Sequence, residues 1–145
     1  MIALGADHAG FEYKEKIKEL LISLGYEFID FGTHSTESVD YPDYAHKVAS
    51  GVSSGKFTTA ILVCGTGIGM AITANKHAKV RAAVIESVEA AKFTRLHNNA
   101  NILCLGSRLT TWERAIEIIK TFLSTDFEGG RHQQRVEKIH TLTNL

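Results

Sequence analysis

The chain has 145 residues, 44% apolar and 22% charged, and its 16 Lys and Arg balance its 16 Asp and Glu. That length suits one domain, residues 1–145, with one substantial core. Zero net charge argues against nucleic acid or an anionic membrane as partner, and no apolar run is long enough to span a bilayer.

Met1 to Gly5 reads as a short apolar strand that ends in Ala6-Asp7-His8-Ala9-Gly10, a polar pair at a strand-to-helix turn. The following helix sets Ile17, Leu20, Leu21 and Leu24 on one face, with Lys14, Lys16, Lys18 and Glu19 largely outside it, and Gly25 as its stop. Glu27 to Phe31 is a second strand, followed by a polar loop from Gly32 to Asp40. Pro42, the only proline, fits the first turn of the next helix, where its missing N–H costs nothing; Tyr44, Val48 and Val52 line that helix.

Thr59 to Val63 is an apolar, β-branched run that predicts a buried strand. It runs into Cys64-Gly65-Thr66-Gly67-Ile68-Gly69, and a helix is expected from Met70 to Lys76. Val80 to Val84 is a fourth strand, Ser87 to about His97 a fourth helix, and Ile102 to Leu105 a fifth strand. Trp112, Ala115, Ile116, Ile119, Phe122 and Leu123 form the apolar stripe of a fifth helix. After Glu128-Gly129-Gly130, a last helix runs from Arg131 to about His140. Five alternations of strand and helix imply an α/β protein, a parallel sheet with helices on both faces.

The glycine turn after the third strand is the stretch that carries chemistry. Glycines at every second position let the backbone approach a ligand, and amides at a helix start can face an anion or a developing oxyanion. A thiol beside them stands where partial positive charge favours the reactive thiolate. A tight turn with a structural Cys would share this pattern. Gly65-x-Gly67-x-Gly69 is not the dinucleotide fingerprint, and no Gly-Lys-Ser/Thr follows it, so nucleotide binding drops in rank.

In parallel sheets ligands bind beyond the carboxyl ends of strands, which puts Asp7 and His8 at the same edge as Cys64 and Thr66. Arg131 and Arg135, four apart on one helical face, can grip a phosphate, although a solvated basic turn is the commoner meaning of such a pair. His97 to Asn101 can equally be a polar helix end. The seven histidines show no His-x-x-x-His or carboxylate grouping, so no metal is expected. Cys64 and Cys104 lie far apart with no C-x-x-C, and no basic stretch leading an apolar one opens the chain. Both features suit the cytoplasm, and Cys104 reads as core.

Asp7-His8-Ala9-Gly10, Asp40-Tyr41-Pro42, Cys64 to Gly69, Ala74-Asn75-Lys76, Arg95-x-His97-Asn98, Leu105-Gly106-Ser107-Arg108 and Glu128 to Val136 together resemble the ribose/galactose isomerase family, in its type B ribose-5-phosphate isomerase branch. The resemblance runs nearly end to end. It implies a three-layer α/β/α fold with a five-stranded Rossmann-like sheet and an extra C-terminal helix. It also implies a homodimer or dimer of dimers, no cofactor, no metal, and interconversion of ribose 5-phosphate and ribulose 5-phosphate.

Carried over by residue, the resemblance implies Cys64 as the base between C1 and C2. The amides of Gly65, Thr66, Gly67, Ile68 and Gly69, with the Thr66 hydroxyl, would be the enediolate cradle. It implies His97 as the ring-opening acid, Asp7 and Asn98 on sugar hydroxyls or in proton relay, and Tyr41 along the ring pocket. His8, Arg108, Arg131 and Arg135 would hold the phosphate. One branch of the family uses a Glu directly after the last loop glycine; here that place is Met70, so the Cys arrangement is implied. Allose 6-phosphate and, more distantly, galactose 6-phosphate stay open as substrates, as does a sugar-phosphate binding module without catalysis.

Topology adds one expectation. A right-handed β–α–β crossover sends the fourth helix back along the sheet, so His97 ends at the amino edge, far from Cys64 at the carboxyl edge. Each active site is then shared between two subunits related by a two-fold axis.

Overall fold

The computed structural model describes residues 1–145. Five strands, β1 (Ile2–Ala6), β2 (Phe28–Asp30), β3 (Thr59–Cys64), β4 (Ala82–Val84) and β5 (Ile102–Gly106), form one parallel sheet in the order β2-β1-β3-β5-β4. The helices are α1 (Phe11–Ser23), α2 (Tyr41–Ser53), α3 (Ile68–Ala74), α4 (Val88–Asn98), α5 (Trp112–Ser124) and α6 (Arg131–Thr141).

The central strands are buried on both faces, and their side chains divide by period two. Leu4, Ile61, Val63, Leu103 and Leu105 face one core with Ile17 and Leu21 of α1, Ala91 of α4, and Ala115, Ile118, Ile119 and Phe122 of α5. Ala3, Ala60, Leu62, Cys64, Ile102 and Cys104 face the other core with Val48 and Val52 of α2 and Met70 and Ala74 of α3. These are the three layers that the sequence predicts, with α6 packed against α4 outside the sandwich.

Three local expectations need correction. Lys14 does not lie outside α1: its side chain is fully buried, and its ammonium pairs with Asp30 at 2.6 Å and Glu15 at 2.7 Å. The aliphatic stem fills space against β2 while the charged head finds carboxylates, a combination that hydrophobic periodicity misses. Leu24, expected on the buried face, is 39% exposed because α1 has already ended. Helix α3 starts at Ile68 rather than Met70, with Gly67 in the left-handed region at φ 77° just before it.

Register sets where the sheet's two edges lie. Ala60 pairs with Ile102 and Cys64 with Gly106. The amino edge of β3 and β5 therefore receives the end of α4, where the Ala60 N–H donates to Asn101 O, and the carboxyl edge carries Cys64. Four residue steps separate them, about 13 Å at the ordinary strand rise.

Candidate active site

The predicted site residues fall into two groups, one at each edge of the sheet. At the carboxyl edge, Cys64 closes β3 with its side chain buried against α2 and α3. The Gly67 N–H donates to Cys64 Sγ at 3.1 Å, and the Ile68 N–H donates to Thr66 Oγ1 at 3.3 Å. The turn can do this because Gly67 adopts positive φ and sits against the backbone of Leu105, 3.0 Å from where a Cβ would stand. The first amides of α3 have no acceptor within their own helix, which leaves donors beside the thiol.

The neighbouring strand ends complete this group. Asp7 is buried, and its Oδ1 accepts from the Gly10 N–H at 3.0 Å. His8 Nδ1 stands 3.1 Å from the Val39 N and 3.2 Å from the Val39 O, so the Val39 backbone holds the ring in either tautomer. Ser107 Oγ donates to Ala9 O at 2.7 Å, tying the loop after β5 to the loop after β1. That tie brings Arg108 over the turn, where a Cβ on Gly65 would stand 2.9 Å from Arg108 Nη1. Tyr41, on the first turn of α2, lays its ring over Gly69, 2.6 Å from where a Cβ would stand. One surface therefore carries Asp7, His8, Tyr41, the stretch from Cys64 to Gly69, and Arg108.

Cys104 is fully buried, and burial pushes its thiol well above the ordinary value, as befits core.

At the amino edge stand His97 and Asn98, the last residues of α4, followed by Asn99 in the left-handed region at φ 47°, ψ 42°. Two arginines that the sequence reading left without a role brace this helix end. Arg95 Nε donates to Thr125 O at 3.1 Å, and its Nη1 donates to Asn99 Oδ1 at 3.1 Å and to Ala100 O. Arg81 Nε donates to Asn99 O at 2.8 Å. Cations here also suit the negative end of the helix dipole. Burial, and for Arg81 the neighbouring Arg95, pull both guanidinium groups below their ordinary value.

Helix α6 begins beside this end of α4. His97, Asn98, His132, Arg135, Val136 and Ile139 line one cleft of about 390 Å³. Arg135 therefore travels with His97, and Arg131, exposed, opens the same helix. The His97 and His132 rings stack at 4.2 Å with 15° between planes, and Glu128 Oε2 stands 3.8 Å from His97 Nε2 and 3.7 Å from His132 Nε2. Burial first, then the charges of His97 and Arg131, hold the His132 imidazole below its ordinary value.

These three side chains are the one grouping in the fold whose donor atoms could converge on a metal ion. Contrary to the expectation from sequence, the histidines are therefore not free of a carboxylate grouping: Glu128 and His132 stand four apart, and the fold adds His97 from α4. A single chain does not join the two groups of residues. None of its clefts is lined by Cys64, His8 or Arg108.

Known proteins are similar to this chain along nearly its whole length. The family model described as Ribose/Galactose Isomerase matches residues 2–139. Ribose-5-phosphate isomerase B of Escherichia coli K12 is 48% identical over 138 residues, spanning 95% of this chain and 93% of that protein. A ribose-5-phosphate isomerase B structure from Clostridium thermocellum superposes with a TM-score of 0.96 at 48% identity, covering 99% of this chain and 97% of the other. The Mycoplasma genitalium ribose-5-phosphate isomerase B with bound ribulose-5-phosphate superposes at 0.94 and 40% identity, covering 99% and 95%. The sheet order, the glycine turn after β3 and these similarities agree: the chain belongs to the ribose/galactose isomerase family.

Proposed function

We propose that this chain is an aldose–ketose isomerase that interconverts ribose 5-phosphate and ribulose 5-phosphate. The observation that carries the substrate is the 48% identity, over nearly the whole of both chains, to the E. coli ribose-5-phosphate isomerase B. The geometry at the end of β3 supports the chemistry. Moving a proton between C1 and C2 needs one base near both carbons and donors at both oxygens. Cys64 is the base; it takes the C2 proton of the open-chain aldose and returns it to C1. The amides of Gly65 to Gly69 and the Thr66 hydroxyl hold the enediolate oxygens in between. Asp7 binds a sugar hydroxyl or relays a proton between oxygens, and Tyr41 lines the ring.

Ribose 5-phosphate arrives as a furanose, so a second group must protonate the ring oxygen before the base can act. His97 is that acid, with Asn98 on the sugar hydroxyls. His97 cannot reach the Cys64 of its own chain across about 13 Å of sheet. The active site is therefore shared: one subunit supplies Cys64, Asp7, His8, Tyr41 and Arg108, and its partner supplies His97, Asn98, Arg131 and Arg135. His8 and Arg108 hold the phosphate from one side and the two α6 arginines from the other. Exposed apolar side chains beside the glycine turn, Tyr41 at 41%, Ile68 at 50% and Ile72 at 60%, support a partner subunit at this face.

The test is turnover of a panel of aldose phosphates. Ribose 5-phosphate should exceed allose 6-phosphate and galactose 6-phosphate in kcat/KM; a preference for a six-carbon sugar would reassign the substrate, and no turnover of any would leave a binding module. Mixing Cys64→Ala with His97→Asn chains tests the sharing. Each mixed dimer then has one intact site, so activity should return to about a quarter of wild type on statistical exchange. No recovery, with exchange verified by mass, would reject the shared site.

A further inference from the structure

We propose that His97, Glu128 and His132 form a zinc site, and that zinc bound there inhibits the isomerase by occupying the ring-opening acid. The inhibitory step rests on the assignment of His97 above; the site itself does not. The donor atoms of the three side chains all lie within 4.8 Å of one another. Two imidazoles and one carboxylate suit zinc far better than magnesium or calcium, which prefer all-oxygen shells. Three protein donors also leave a fourth position for water.

The second observation is His132 itself. It is 5% exposed, and its Nε2 is a buried polar atom with no hydrogen-bond partner. Such an orphan is costly, and here it points at the Glu128 carboxylate without reaching hydrogen-bond distance. The backbone around it is tied down. The Glu128 N–H donates to Leu96 O at 3.1 Å, and the His132 N–H donates to Gly129 O at 3.0 Å. Gly129 and Gly130, both at positive φ, make the turn from Glu128 into α6, whose first turn carries His132.

The metal must draw the donors inward. Zinc bonds of about 2.0–2.2 Å put neighbouring tetrahedral donors roughly 3.3–3.5 Å apart, and here the oxygen stands 3.7 and 3.8 Å from the two nitrogens. The stacked rings also aim their lone pairs side by side, so ligation requires His97 to swing off the stack toward the carboxylate. The side chains of His97 and Glu128 are 36% and 56% exposed and can make that movement while His132 stays fixed. Arg131 and Arg135 oppose a second cation nearby, which keeps the affinity well below that of a structural zinc site and makes occupancy reversible. A zinc ion on His97 takes the lone pair that would carry the catalytic proton.

The experiment uses the Cys64→Ala chain, so that the thiol cannot compete for metal, freed of metal and titrated with zinc by calorimetry. One zinc per chain should bind. Glu128→Gln or His132→Gln added to that background should weaken binding at least tenfold, with the fold checked by circular dichroism. His46→Gln should leave the titration unaltered, although His46 and His77 form another close imidazole pair at 2.8 Å. In the chain that keeps Cys64, zinc should inhibit ribose 5-phosphate turnover, EDTA should reverse it, and Glu128→Gln should raise the zinc concentration for half inhibition at least tenfold, measured against its own zinc-free rate. Loss of zinc binding with Cys64→Ala alone, loss with His46→Gln, or undiminished binding in Glu128→Gln would each overturn the site. Full activity of His97→Asn would remove the ring-opening assignment and with it the inhibitory step, while the calorimetric result would still decide the site.

Discussion

The two groups of residues at the edges of the sheet are built differently. At the carboxyl edge, Cys64, Asp7 and the glycine turn hang directly on strand ends whose register the ladder fixes: Cys64 opposite Gly106 and Ala6 opposite Val63. At the amino edge, His97 and Asn98 stand on the last turn of a helix, and side chains rather than a ladder hold them: Arg95 and Arg81 on the carbonyls of residues 99, 100 and 125. Proton transfer between carbons needs a rigidly placed base, because the reacting atoms must stay within hydrogen-bond reach. In the mechanism proposed above, ring opening acts on the sugar's ring oxygen, and a braced helix end can deliver an acid to it.

Breaking the first group should cost most. Cys64→Ala should lower kcat in both directions by at least the roughly 10²–10⁴-fold that a general base supplies, while sugar-phosphate binding persists by calorimetry. Activity near wild type would remove Cys64 from the base role. It should also abolish solvent deuterium exchange at C1 of ribulose 5-phosphate, a ketose whose O5 is esterified and which therefore has no furanose to open.

His97→Asn sharpens the contrast. Ribose 5-phosphate turnover should fall, yet C1 exchange on ribulose 5-phosphate should survive, since that step needs the base and not the acid. Equal loss of both would mean that His97 does more than open rings. Arg135→Ala comes next. Inorganic phosphate should compete with substrate in the wild type, and the variant should weaken that competition by the roughly 1.5–3 kcal/mol of a charge-assisted bond, read from the inhibition constant. An unchanged constant would take Arg135 off the phosphate.

The smallest effect on rate should come from the buried Lys14 cluster. Asp30 and Glu15 are pulled below the ordinary carboxylate value because hydrogen bonds from Lys14 and Lys18 outweigh the effect of burial. A carboxyl lowered on folding gives stability that is present above its unfolded value and lost as pH falls through the folded one. Urea melts should therefore show stability falling on the acid side, more steeply in wild type than in Asp30→Asn, with neutral-pH turnover of the two alike. Identical acid slopes would show that the cluster carries no pH-linked stability.

Much was legible in the chain itself. Period-two and period-3.6 patterning gave the order of strands and helices, and the parallel sheet followed from their alternation. The glycine turn with its thiol was visible because strand, turn and helix start are consecutive in sequence. Even the separation of His97 from Cys64 followed from crossover handedness, a rule of chirality that local sequence obeys.

Tertiary structure decided what depends on residues far apart in the chain. Lys14 is buried because Asp30, across α1 and β2, receives its charge; periodicity reads charged residues as exposed and has no term for a partner sixteen positions away. Arg81 braces Asn99, eighteen positions on, for a reason that exists only once β4 lies beside β5. The grouping of His97, Glu128 and His132 arises partly the same way: Glu128 and His132 stand four apart in the chain, but His97, thirty-one positions before Glu128, joins them only because α6 packs on α4.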